Sequence, residues 1–219
     1  MTFKAPDSLS EQIAHHLAER IIRGELAPGE RIQEQKVTQA LNVSRGSVRE
    51  ALLILERRHL VAILPRRGAH VTRLDERSVR SLCALMGEFY ILLGNAVAQK
   101  WRTDADLMPF LGIQQRLQQA YGATDIKTFV AESFAVMRAA YPFADNPYLQ
   151  ETVENLQPAM SRAYYLALDQ RQANMLDYLD LFDRLLQAVV ARDIARIREV
   201  LVAYCQRSCE LVLAALARV

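Results

Sequence analysis

Histidine is absent after position 70; the chain's four histidines are His15, His16, His59 and His70. The remaining stretch therefore lacks the side chain most often used for general acid–base catalysis and zinc ligation. A phosphate-binding glycine loop and a nucleophile motif are missing as well. No unbroken apolar run reaches the ~18 residues of a membrane span. Paired carboxylates such as Asp177 and Asp180 read as a solvated helix face. The chain is thus expected to be neither an enzyme nor a membrane protein, and to need no cofactor. Its opening residues, Met1-Thr2-Phe3-Lys4-Ala5-Pro6-Asp7, lack an apolar signal core, so the expected location is the cytoplasm.

Cysteine is scarce. Three residues, an odd number, fit a reducing compartment better than a disulfide framework. Cys205 and Cys209 share one helix face at i, i+4, which permits a redox or metal role but reads first as small core-facing residues.

Charge excess is small too, at +2 overall, yet it is unevenly spread. Residues 1–73 carry 12 Lys/Arg against 8 Asp/Glu, and the remainder carries 15 against 17. A basic head on a slightly acidic body suits a module whose partner carries phosphate. With 51% hydrophobic and 24% charged residues the chain is not expected to be disordered. Its 219 residues leave room for two small domains, each with its own core.

Along the chain, Leu9, Ile13, Leu17, Ile21 and Ile22 mark a first helix over about 9–23, capped by Ser8 and ended by Gly24. A short second helix covers about 33–41, closed by Asn42. Ser44 can cap a third over about 45–58. Two apolar runs, Val61-Ala62-Ile63-Leu64 and Ala69-His70-Val71, flank the turn residues Pro65-Arg66-Arg67-Gly68 and predict a hairpin with arginines at its tip. Helix, helix, turn, helix, hairpin is the order of a winged helix-turn-helix. From Asp75 onward only helical stretches follow, near 76–101, 104–121, 125–141, 147–168, 172–191 and 193–217. Their expected breaks include Gly122 and Pro142, and Asp104 and Asp193 serve as caps. The fold class is therefore mostly α: a winged helix-turn-helix over 1–74, then an all-α bundle of six or seven helices over 75–219.

The segment Val43-Ser44-Arg45-Gly46-Ser47-Val48-Arg49-Glu50-Ala51-Leu52 carries the chemistry. Val48, Ala51, Leu52 and Leu55 follow i, i+3, i+4, i+7 and face a core, which turns Arg45, Gly46 and Arg49 outward. A recognition helix reads the major groove with its N-terminal residues. Arginine suits guanine because its fork spans O6 and N7 together. Gly46 keeps bulk from the groove floor, and Ser44 and Ser47 can hold phosphate with their hydroxyls. Arg66 and Arg67 can reach a neighbouring groove or the backbone. The competing reading pairs the helix arginines with Glu50 and Glu56 on a solvated face.

These residues, with Gly24 to Ile32 and Arg66-Arg67-Gly68-Ala69-His70-Val71, resemble the DNA-binding domain of the GntR family over about residues 8–73. The all-α remainder resembles the FadR-type branch, with its FCD effector domain. Asp145-Asn146-Pro147-Tyr148-Leu149 and Ala191-Arg192-Asp193 match stations of that domain. The resemblance implies a homodimer on a short double-stranded palindrome, usually as a repressor. It matches Arg45 and Arg49 to base-contacting arginines, and Ser44, Gly46 and Ser47 to groove and phosphate contacts. Arg67-Gly68 match a wing tip that enters the minor groove. Where many relatives place an arginine in the second helix, this chain has Gln35, then Lys36; glutamine favours adenine.

Many FCD domains bind a divalent metal through an aspartate and three histidines, and the metal helps hold a small carboxylate. Here the matching positions fall on Phe182 and Tyr204, and Glu132-Ser133-Phe134-Ala135 stands where Asp-x-x-Phe-His is the pattern. No metal of that type is expected. What remains is a cavity with Arg162, Tyr164, Tyr165, Tyr178, Phe182, Tyr204 and Arg207 as candidates for holding a carboxylate or acyl effector. A ligand there would shift operator affinity. The alternative is a ligand-independent dimeric regulator with a solid bundle.

Overall fold

The computed structural model describes residues 8–168 and 172–218. Its contacts divide into two units: Met1–Leu74 with Glu154–Arg162, and Asp75–Val153 with Ala163–Val219.

The first unit begins with α1 (Leu9–Ile22), where the Ser8 side chain accepts from the Glu11 N–H at 3.1 Å. After β1 (Arg31–Ile32) come α2 (Glu34–Leu41) and α3 (Arg45–Arg57), then β2 (Val61–Leu64) and β3 (Gly68–Val71). Helical spacing places Ile13, Leu17 and Ile21 of α1 and Val48, Leu52 and Leu55 of α3 in one core, joined by Leu60, Val61 and Val71. Two polar ties fix α1 to α3: Ser10 Oγ donates to Glu50 Oε2 at 2.6 Å, and Arg58 Nη2 to Glu11 Oε2 at 2.8 Å. The sheet is antiparallel, ordered β1-β3-β2, with Ile32 opposite Ala69 and Ala62 opposite His70. The expected hairpin is present, and β1 is an addition to it. Two residues are too few to show a period, so nothing in the sequence marks β1 as strand.

Among the described residues the second unit draws on six helices: α4 (Glu76–Lys100), α5 (Asp104–Gly122), α6 (Ile126–Ala144), α7 (Pro147–Leu168), α8 (Gln172–Val190) and α9 (Ile194–Leu216). The residues 154–162 of α7 belong to the first unit. Helix α4 packs against α6, α8 and α9, and α5 against α6 and α8. By length and composition α4 could cross a membrane, with a mean hydropathy of 1.5 over its most apolar window. Buried Val79, Cys83, Met86, Ile91, Leu93 and Val97 make it the core helix of the bundle instead. Gly87 and Gly94, one heptad apart, allow α9 to come close. A Cβ on Gly94 would lie 3.1 Å from Ile197 Cγ2, and one on Gly87 3.2 Å from Cys205 Sγ.

Asp193 caps α9 as expected, accepting from the Arg196 N–H at 2.9 Å. Asp104 does not cap α5: Thr103 takes that position, and Asp106 reaches back to the Arg102 and Thr103 N–H groups at 2.8 and 2.9 Å. Nor does Pro142 end α6, which runs on to Ala144. The hydrogen bond that the proline ring removes lies in the helix's last turn, where its loss disturbs least. The Asn146 side chain accepts from Tyr148 and Leu149 N–H, each at 3.1 Å, and so starts α7. Arg192, at φ 55°, donates to the carbonyls of Ala98, Gln99 and Trp101 at the end of α4 and lies 4.8 Å over the Trp101 ring. Both segments matched to FCD stations thus have structural work within the bundle.

Candidate nucleic-acid interface and bundle cavity

Ser44 stands at the N-cap of α3 in extended conformation, and its Oγ accepts from the Ser47 N–H at 3.0 Å. The Ser47 hydroxyl lies 2.9 Å from the same oxygen. This cap orients the first turn, so that Arg45, Gly46 and Arg49 are exposed while Val48 is fully buried. Among the described residues neither glutamate of the competing reading pairs with these arginines: Glu50 accepts from Ser10, and Glu56 Oε1 accepts from the Ile63 N–H at 2.9 Å. Arg49 has another partner. Its Nε donates to Glu34 Oε2 at 2.9 Å, across from the first turn of α2, although its side chain stays 68% exposed.

The wing tip is a tight turn. Arg67 N–H donates to Leu64 O at 3.0 Å, with Pro65 second and Arg66 third at φ 61°. Proline followed by a positive φ is the signature of a type II turn, where glycine is the usual third residue. Holding arginine there costs on the order of 1 kcal/mol. Gly68 follows at φ 83° and begins β3. Arg66 and Arg67 are both exposed. A groove of about 500 Å³ runs between these elements, lined by Gln35 of α2, Arg45 of α3, Gly68 of β3 and Arg31 of β1 among others. Three of the residues singled out from the sequence therefore meet in one place. Lys36 lies on a neighbouring groove with Arg31. Arg31 was missed by sequence reasoning, although it sits inside the matched Gly24–Ile32 segment. Its guanidinium lies beside Gly68, 3.6 Å from where a Cβ would be.

The second unit holds a cavity with two compartments, about 90 and 210 Å³ in volume, which share Ser133, Tyr164, Tyr178, Leu181 and Tyr204 as lining. Phe182 and Phe134 face the smaller one, with Tyr90, which sequence reasoning did not single out. The aromatic rings pack on each other. Phe134 stacks on Tyr164 at 6.0 Å between centroids, and Tyr178 meets Phe129 and Tyr204 edge-on at 5.5 and 5.6 Å. Tyr178 Oη donates to Ser133 O at 3.2 Å. Burial pushes the Tyr90, Tyr164 and Tyr178 phenols well above their ordinary value, and Tyr204 up to about 12.

Two expected cavity residues are elsewhere. Arg162 and Tyr165 line neither compartment. Arg162 is buried in the first unit, where its Nη1 donates to Thr72 O at 2.9 Å and to Thr72 Oγ1 at 3.1 Å. Helix phase explains this: successive residues turn by roughly 100°, so the face that presents Tyr164 and Ala167 carries 162 and 165 away. Arg207 does line the larger compartment, bound to Asp177 Oδ2 through Nη2 at 2.7 Å.

The family's metal does not fit here. Of its expected positions, Phe182, Tyr204 and the Ser133-Phe134 part of Glu132-Ser133-Phe134-Ala135 converge on the smaller compartment, and none of these is an imidazole or carboxylate. The segment's carboxylate, Glu132, lies outside that lining and pairs with Arg116 at 3.0 Å. The three cysteines offer no substitute site among the described residues. Burial lifts the Cys83 and Cys205 thiols to about 12, and Cys83 lies beside Cys209. They behave as the small core residues expected of Cys205 and Cys209.

Comparison with known proteins agrees with both halves. Residues 9–71 match the model of bacterial regulatory proteins of the gntR family, and residues 92–207 match the FCD domain. The HTH-type transcriptional regulator McbR of Escherichia coli K12 is 26% identical over 187 residues, covering 85% of this chain and 84% of that protein. The HTH-type transcriptional repressor RspR of the same strain is 27% identical over 184 residues, 81% of this chain and 78% of that one. Among solved structures, E. coli McbR/YncC superposes with a TM-score of 0.78 at 25% identity, over 94% of this chain and 98% of its own. A GntR regulator from Rhodococcus sp. RHA1 shares the fold, with a TM-score of 0.76 at 20% identity over 95% and 99% of the two chains. A winged helix-turn-helix followed by a helical FCD domain, shared with these regulators of transcription, makes the chain a member of the GntR family.

Proposed function

We propose that the chain represses transcription by binding a palindromic operator as a homodimer in the cytoplasm, residues 1–74 reading DNA and 75–219 serving ligand binding and dimerisation. Arg45 and Arg49 read bases from the start of α3. Ser44, Gly46 and Ser47 take the groove and phosphate positions, with Gln35 and Lys36 at the next contact. Arg67 and Gly68 enter the minor groove, and Arg66 beside them reaches the DNA backbone. The observation that carries this reading is the groove where Gln35, Arg45 and Gly68 converge beside Arg31, on the basic half of the chain. The Arg49–Glu34 pair fits it as well, since an exposed ion pair is worth only ~0.2–1 kcal/mol and yields readily to phosphate or guanine.

Ligand control is the second element: a small organic molecule held in the bundle shifts the placement of the DNA-reading heads, and with it operator affinity. The aromatic cavity supports this over a ligand-independent dimer, for which a solid bundle is expected. The name of RspR, a repressor, favours repression. The DNA reading is tested by competition binding on a panel of single-base operator variants. A specific reader loses affinity unevenly across the panel and steeply with salt. Equal affinity for every duplex would reduce the interface to a phosphate contact.

A further inference from the structure

The ligand-sensing reading leaves open what chemistry the cavity accepts, and its charges and phenols narrow that choice. The smaller compartment has no charged side chain in its lining. The larger one has two cations, and each is already held by a carboxylate of the same wall: Arg207 by Asp177 at 2.7 Å and Arg184 by Asp180 at 2.8 Å. Both pairs are partly exposed and exchange readily, but an anion that drew an arginine away would still sit beside the aspartate it displaced. In the smaller compartment an anion would find no charged partner at all, which is strongly disfavoured. The metal that would offset a carboxylate in relatives has no ligands here, since Phe182, Tyr204 and Ser133-Phe134 occupy those positions.

One polar atom is nevertheless left over. Tyr164 Oη is buried and makes no well-formed hydrogen bond, although the Tyr90 and Tyr204 hydroxyls interact with it, while the neighbouring Tyr178 Oη is committed to Ser133 O. A buried hydroxyl left unpaired carries a penalty that a ligand oxygen can relieve. Around it stand Phe134, stacked on the Tyr164 ring, with Leu181 and Phe182. The compartment volumes, about 90 and 210 Å³, bracket the ~150 Å³ of an apolar cavity that accepts benzene.

We propose, resting on the ligand-sensing reading, that this cavity takes an uncharged aromatic compound of one or two rings bearing a single hydroxyl or carbonyl oxygen, which hydrogen-bonds to Tyr164 Oη. Burial keeps the phenol protonated throughout the neutral range, so Tyr164 is available to donate. The rings lie against Phe134, Phe182 and Leu181, and no counter-ion is required.

The test uses matched pairs that differ only in charge: 2-naphthol with 2-naphthoate, and benzyl alcohol with benzoate. Each is titrated into the full chain by calorimetry and thermal shift. The neutral member of at least one pair binds tenfold or more tightly than its acid, about 1.4 kcal/mol, with little dependence on salt. Tyr164→Phe weakens that binding about tenfold while changing the ligand-free melting temperature little, because the hydroxyl it removes has no well-formed hydrogen bond. Leu181→Trp, which fills both compartments, abolishes binding; Tyr164→Phe keeps the test decisive should that variant fail to fold. Tighter binding of the acids overturns the inference and leaves ligand sensing intact. Equal binding of neutral ligand by Tyr164→Phe and the unmodified chain removes Tyr164 from the account. If the pairs, small dicarboxylates and acyl thioesters all fail to bind, both the inference and the ligand-sensing reading fall.

Discussion

The candidate sites of the two units leave their arginines in different states. At the start of α3 and on the wing, Arg45, Arg66 and Arg67 are exposed, and among the described residues none has a carboxylate partner. Around the bundle cavity, Arg184 and Arg207 are each bound to an aspartate on the same wall, and Arg192 is consumed in closing the end of α4. Cations left open to water attract phosphate and can pair with guanine. Cations neutralised locally leave the surface beside them without net charge. On the proposed readings the same residue type marks a charged partner in one region and an uncharged one in the other. Arg49, bound to Glu34 at 2.9 Å yet proposed to read bases, shows that a carboxylate partner alone does not carry the distinction.

The largest expected effect comes from alkali. Burial holds Cys83, Cys205 and Tyr204 protonated, each up to about 12 from ordinary values of 9.0 for the thiols and 10.0 for the phenol. The unfolded chain releases these protons first, so stability is full below pH 9 and falls steadily as pH rises toward 12. Chemical denaturation at stepped pH checks this; a stability curve flat to pH 11 would place these groups in water. On the DNA side, Arg45→Ala should cost on the order of 1–3 kcal/mol on operator and relax specificity at one base pair. A loss equal on every duplex would demote Arg45 to a phosphate contact.

Arg192→Ala breaks three bonds to carbonyls and one ring contact. It should lower stability by about 2 kcal/mol, read as a shifted denaturation midpoint with unchanged slope. Arg66 separates the two uses of arginine within one residue. Arg66→Gly should stabilise the fold by roughly 1 kcal/mol through relief of its positive φ, while weakening all DNA sequences alike and reducing the salt slope by about 1. At the bottom of the scale, Arg207→Ala removes a pair whose arginine is 63% exposed and should change stability by less than ~1 kcal/mol.

Much of this was legible in the sequence where a local rule decides the outcome. Ser8, Ser44 and Asp193 cap the helices that follow them because a short oxygen at the N-cap finds a free N–H three residues on. Val48, Ala51, Leu52 and Leu55 set the outward face of α3 by spacing alone. The failures came where distant contacts decide. Strand β1 exists only because β3 offers it a partner. Arg162 and Tyr165 were grouped with the cavity by composition, yet helix phase turned them from it. Tyr90 was overlooked because a tyrosine in an apolar helix looks like core until α6, α7 and α9 bring Ser133, Tyr164 and Tyr204 around the same compartment. The Gly87 and Gly94 heptad was a readable sign that α9 would approach there.

The most direct test of the central claim is the affinity of the full chain for its operator and for a scrambled duplex, followed from about 50 to 200 mM salt, with and without Arg45→Ala. The account predicts a steep linear fall of log affinity with log salt for both duplexes. It also predicts an operator preference on the order of a thousandfold or more, and a preference reduced at least tenfold in the Arg45→Ala protein. Salt-independent binding, or a preference that Arg45→Ala leaves intact, would contradict it.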